Sequence, residues 1–250
     1  MNTICIDNNL DRLRIRKLLL IGLIASVMTG IGDFLIGFAE EPVSSGFAES
    51  VLASAPNLSD GQLIVGGLLG FVGIFLEGLA FFGIYWLMAD AAPKYAHIYR
   101  AGIFGYIWLA PIGCHMNVGL ANYAYKNLLL LDPAAASKMA TVFVYAFGLP
   151  IWILLILFWF PMIVVQFKAF AKGLTPYPQK AKWFNLFVGA APALILALIF
   201  GPKTALGAGI GTMFLSFGNA FTFGGLLFTL PNQKCFDMFK QTLQLKEGKK

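Results

Sequence analysis

Two carboxylates and one imidazole interrupt long apolar runs in this sequence. Asp33 stands in "TGIGDFLIG", Glu77 in "GIFLEGLAFF" and His115 in "GCHMNVG". Asn122 follows His115 in the same run, and Ser216 and Asn219 come late, in "SFGNAF". Such groups hold or move protons, bind cations and carry out acid/base chemistry. A carboxylate at the centre of an apolar helix costs about 2.5 to 3.5 kcal/mol on insertion scales, so each one needs a compensating partner.

Helical spacing collects these residues on faces. Gly22, Ser26, Thr29, Asp33 and Gly37 recur at steps of three and four, as do Gly66, Gly70, Gly73 and Glu77. His115 shares a face with Gly119 and Asn122, and Gly209 and Thr212 share one with Ser216 and Asn219. Small residues allow helices to approach closely, and polar ones turn from lipid toward partners. Asp33, Glu77, His115 and Asn219 are therefore expected to converge on an internal polar cavity, with Ser216 and Asn122 beside them. Plainer readings stay open: Asp33 reaching the membrane interface, the glycines forming packing seams, and His115 acting as an interhelical hydrogen-bonder.

Two functions fit that cavity. In one it binds or transports a small cation, an amine or a proton-coupled solute. In the other, Glu77 or Asp33 and His115 perform acid/base chemistry on a lipid-soluble substrate. In a third, purely structural reading, the cluster only holds helices together. Other chemistries lack their parts. With only His97 and His115, a three-histidine zinc site cannot form in one chain. There is no G-x-S-x-G elbow, P-loop or G-x-G-x-x-G, and no cofactor motif.

Gly30-Ile31-Gly32-Asp33 spells GxGD and Pro192-Ala193-Leu194 spells PAL, which resembles the intramembrane aspartyl proteases such as the presenilins. That family draws a second aspartate from a preceding span, whereas here the only other mid-run carboxylate is Glu77. Across most of the chain, the early "GD", "GCHMNVG" and the late "SFGNAF…LP" look similar to an uncharacterised family of bacterial six-span membrane proteins. The resemblance implies no activity, only that Asp33, His115 and Asn219 belong together.

The elements that must position these side chains follow from composition. The 250 residues are 58% hydrophobic and only 12% charged, with a mean hydropathy of +0.76. Soluble domains carry about twice that share of charge. The expected class is an all-α, polytopic membrane bundle forming a single domain. Six spans are predicted, over about 18–38, 62–88, 98–125, 142–167, 184–200 and 205–230. The first is read as retained rather than as a cleaved signal peptide.

Basic residues crowd alternate loops: Arg12, Arg14, Arg16 and Lys17, then Lys94 and Arg100, then four lysines over 168–182 and five after Pro231. That bias puts both termini in the cytoplasm, and a bacterial inner membrane is the expected location. The net charge of +6 is then an orientation and lipid-headgroup signal, not a nucleic-acid one. The bilayer and a small-molecule or lipid-like ligand are the expected partners, and a homodimer is compatible with the size. The fourth and fifth spans carry no mid-run ionisable residue but contain Pro150, Pro161 and Pro192, so they are expected to kink or to open local backbone groups, and to pack outside the polar centre or act as a flexible wall.

Overall fold

The computed structural model describes residues 10–40 and 47–247; residues 1–9, with Cys5, residues 41–46 and the last three residues lie outside the described residues. Among the described residues there is helix and no strand. Helix α1 (Arg12–Gly37) starts where the Asp11 side chain accepts from the Leu13 and Arg14 amides. Helix α2 (Phe47–Val51) is a short helix between α1 and α3. Helix α3 (Asp60–Ala89) opens on a capping box between Ser59 and Gln62.

Helices α4 (Pro93–Ala110) and α5 (Asn117–Leu131) form one rod, joined by a π-helical stretch over Pro111–Met116. Helices α6 (Pro133–Val142) and α7 (Leu149–Ala171) are joined in the same way over Phe143–Gly148. Then come α8 (Leu186–Phe200), α9 (Ala205–Thr212), α10 (Phe214–Phe228) and the amphipathic α11 (Gln233–Glu247).

Four of these helical stretches are long and apolar enough to cross a membrane: Arg12–Gly37, Asp60–Ala89, Pro93–Leu131 and Pro133–Ala171. The pair α9–α10, bent by 50° at Met213, makes a fifth if it counts as one span. Helix α8 has 15 residues. At 1.5 Å per residue it is about 22 Å long, short of a hydrocarbon core of about 30 Å. Its start is set by Asn185, whose side chain caps the Phe187 amide, and its end by Gly201 at φ 90.

The prolines act differently from expectation. The backbone stays helical through Pro161 and Pro192, and the sharp break falls instead at Met213, where no proline stands. Pro111 opens the first π-helical stretch. Having no N–H, it cannot donate to the carbonyl one turn back, and the ladder widens. The Asn117 amide accordingly donates to the carbonyl of Ile112, five residues earlier. The Trp152 indole N–H of α7 takes up a carbonyl of the widened turn, that of Gly113, at 3.2 Å.

The glycine faces are seams between helices. A Cβ at Gly32 would stand 2.7 Å from the Gly66 carbonyl oxygen and 2.8 Å from the Gly70 nitrogen, so α1 and α3 meet backbone to backbone. At Gly30, two residues earlier, the nearest side-chain atoms would be at 3.6 and 3.7 Å, an ordinary contact. Gly32→Ala should therefore destabilise the protein by about 1–3 kcal/mol while Gly30→Ala is neutral, as overpacked cores cost. Thermal unfolding of the two variants side by side in one detergent checks this; equal melting temperatures would contradict the seam.

The basic residues gather at one end of the bundle. Arg12 Nε donates to the Pro231 carbonyl at 2.6 Å, the Arg14 guanidinium lies 3.7 Å over the Trp86 ring, and Lys172 donates to Tyr95 at 2.9 Å. These contacts bring the start of α1, the end of α3, the start of α4, the end of α7 and the approach to α11 together. At that end the buried Tyr177 donates to the Leu226 carbonyl at 2.6 Å, and burial pushes its phenol upward, so it stays a neutral donor.

Candidate functional site

The polar stripes face inward. Gly22, Ser26, Thr29 and Gly37 of α1, Gly66, Gly70, Gly73 and Glu77 of α3, and Ser216 and Asn219 of α10 are all buried. Around them the side chains form two groups that meet at one cavity.

The first group centres on Asp33. Its Oδ1 lies 3.1 Å from His115 Nε2, and its Oδ2 accepts from the Ser216 hydroxyl at 2.5 Å. The Thr212 hydroxyl, at the end of α9, lies 2.8 Å from the Asp33 backbone carbonyl. The Asp33 side chain is only 16% exposed, so the carboxylate is largely enclosed by its neighbours. The contact puts a proton on His115 Nε2, and the other ring nitrogen, Nδ1, is buried without a partner. It lies against Gly70, where any Cβ would overlap the ring. Gly70 is thus the gap into which the imidazole fits.

The second group centres on Glu77, fully buried. Its Oε2 accepts from the Tyr106 hydroxyl at 2.5 Å and from Asn219 Nδ2 at 2.8 Å, while Oε1 has no partner. Tyr106 and Asn219 are themselves 3.4 Å apart, so three helices share one knot.

Between the groups lies a cavity of about 190 Å³. Asp33, His115, Ser216 and Asn219 supply its polar wall, and Tyr106, Leu155 and Trp159 its aromatic and apolar wall. The Trp159 indole N–H is buried and unpaired, and its ring lies 5.8 Å from that of Tyr106. Helix α7, without an ionisable residue at that level, therefore serves as a wall, as the sequence suggested. Helix α8 packs outside, against α10, with Gly218 under the Leu186 carbonyl.

Of the six residues singled out by sequence, Asp33, His115, Ser216 and Asn219 line this cavity. Glu77 stands behind Tyr106 and Asn219 rather than in the wall. Asn122 lies apart: its amide donates to Val118 of its own helix at 2.9 Å. Tyr106, Trp159 and Thr212 were missed as site residues. Tyr106 could not be found from helical phase. It precedes His115 by nine positions, and at about 100° per residue that is the opposite face of an α-helix. The π-helical turn absorbs one extra residue and brings the two within about 80° of each other.

The geometry also limits the chemistry. In a nucleophilic triad the histidine lies between acid and serine, whereas here Asp33 lies between His115 and Ser216. The carboxyls of Asp33 and Glu77 are each hydrogen-bonded to different partners and not to each other, whereas an aspartyl-protease dyad requires two carboxyls sharing one proton. Pro192, Ala193 and Leu194 sit in α8, away from the cavity lining.

Fold and site together define an all-helical protein with four or five helices able to cross a membrane, tied around a buried acid–histidine and acid–amide cluster. The chain belongs to DUF6796, a family of unknown function whose model covers residues 1–233. No curated protein and no solved structure gives a significant match to it.

Proposed function

We propose that this chain is a six-segment integral membrane protein of the bacterial inner membrane, both termini cytoplasmic, whose cavity binds or transports a small organic cation such as an amine. The short α8 would be the fifth segment and the bent α9–α10 pair the sixth. The gathering of basic side chains at one end supports that end as cytoplasmic.

One observation carries the functional reading. Asp33, a largely enclosed carboxylate, lines the same small cavity as the Trp159 and Tyr106 rings. A carboxylate and aromatic rings in one cavity suit a protonated amine, through a charge-assisted hydrogen bond and cation–π attraction. Ser216 and Asn219 can orient it.

The His115 ring nitrogen 3.1 Å from Asp33 Oδ1 is the partner that an arriving ammonium would replace. Calorimetry on the purified protein in nanodiscs should show saturable binding of ethylamine and none of ethanol, which has nearly the same size but no charge. No binding of ethylamine, or equal binding of ethanol, would remove the reading.

The alternative, acid/base chemistry on a lipid-soluble substrate, has less support. It needs a second acid or base facing the cavity. Glu77 is screened by Tyr106 and Asn219, and the free nitrogen of His115 faces Gly70.

A further inference from the structure

We infer that the cavity is reached from the lipid-facing side of the bundle and takes a single-chain alkyl amine, its ammonium head at Asp33 and its tail between α1 and α10. This rests on the cation reading of Asp33 and names the ligand's remaining part. A groove of about 480 Å³ runs along the outer face of the bundle, formed by Val27, Gly30 and Ile31 of α1 and by Met213, Phe217 and Ala220 across the α9–α10 bend. Val27 and Ile31 are each 51% exposed, so the groove opens outward where an apolar surface would meet lipid.

Ser216 lines both this groove and the polar cavity. Its hydroxyl, bonded to Asp33 Oδ2, is the partition between an apolar chamber and a charged one. Rotation of that one side chain, at the first turn after the bend, would join the two. An occupant of the joined space must be apolar along its length and charged at one end. Asp33 sets the sign: a fatty acid would place its carboxylate against another, whereas an ammonium replaces the partners it displaces.

Gly30 lies on the floor of the groove, where a Cβ would make ordinary contacts with Ser216 Cβ and Met213 Cε, so a methyl fits there but a large side chain would project into the groove. No polar group but Ser26 and Ser216 lines the groove, and the Ser26 hydroxyl is already given to the Gly22 carbonyl at 2.8 Å.

The test compares dodecylamine with ethylamine on wild type, Gly30→Trp and Val27→Trp, in nanodiscs of zwitterionic phosphatidylcholine. Val27→Trp narrows the groove from its exposed lip and serves should Gly30→Trp fail to fold. Dodecylamine should lose at least about tenfold in affinity in the variants, while ethylamine, which needs only the cavity, changes by less than about threefold. Unchanged dodecylamine binding in a folded variant would overturn the tail groove and leave the amine site standing, as ethylamine binding would show. Failure of both amines to bind wild type would overturn the groove together with the cation reading.

Discussion

Asp33→Asn should abolish amine binding and leave the protein folded. Asparagine has nearly the same shape, and its carbonyl oxygen can still accept from Ser216 or from His115 Nε2–H, so the ties from α1 to α10 and to the π-helical turn survive in part. What it lacks is charge. Removing one member of a buried charge pair costs about 2–5 kcal/mol, or roughly 30-fold to several thousand-fold in affinity. Ethylamine binding should therefore drop below detection, with the melting temperature of the apo protein moving by only a few degrees. A variant that melts far earlier yet binds amine as wild type would assign Asp33 to holding helices together and nothing more.

The largest stability loss is expected from Glu77→Ala. Alanine leaves the Tyr106 hydroxyl and the Asn219 amide, both buried, with no carboxylate to bond, and opens a void at the meeting of α3, α4 and α10. Each orphaned buried donor costs about 1–3 kcal/mol, so the pair alone accounts for about 2–6 kcal/mol. Glu77→Gln keeps an acceptor oxygen at the same reach and should lose far less. The ratio of the two effects, read from thermal unfolding in one detergent, tests whether Glu77 acts through hydrogen bonding. Equal losses would mean that its negative charge, and not its acceptor geometry, holds the knot. The Gln variant should also bind ethylamine better than Asp33→Asn does, since Glu77 supports the cavity from behind.

The two acids look alike in spacing, each on a small-residue face four positions beyond a threonine or a glycine, and only nearness to the end of its span sets Asp33 apart from Glu77 in the sequence. Their roles separate in three dimensions because α1 and α3 present them to different neighbours. Asp33 meets the π-helical turn of the α4–α5 rod and the start of α10, while Glu77 meets Tyr106 and Asn219 further along. Asn122 shows the opposite failure: its spacing matched His115, but beyond the π-helical turn its amide satisfies a carbonyl of its own helix.

The sequence by itself determined the class of the protein, its helical content, the inward faces of α1, α3 and α10, and the crowding of bases at one end. It could do so because apolar content, small-residue periodicity and charge bias are local properties, legible without knowing which helix touches which. Tertiary structure decided the rest: the widened turn that brings Tyr106 round toward His115, the bend at Met213, the shortness of α8 and the sorting of Asp33 from Glu77. Each of these depends on partners far away in the chain or on a change of helical pitch, and a pattern that assumes one uniform helix carries neither.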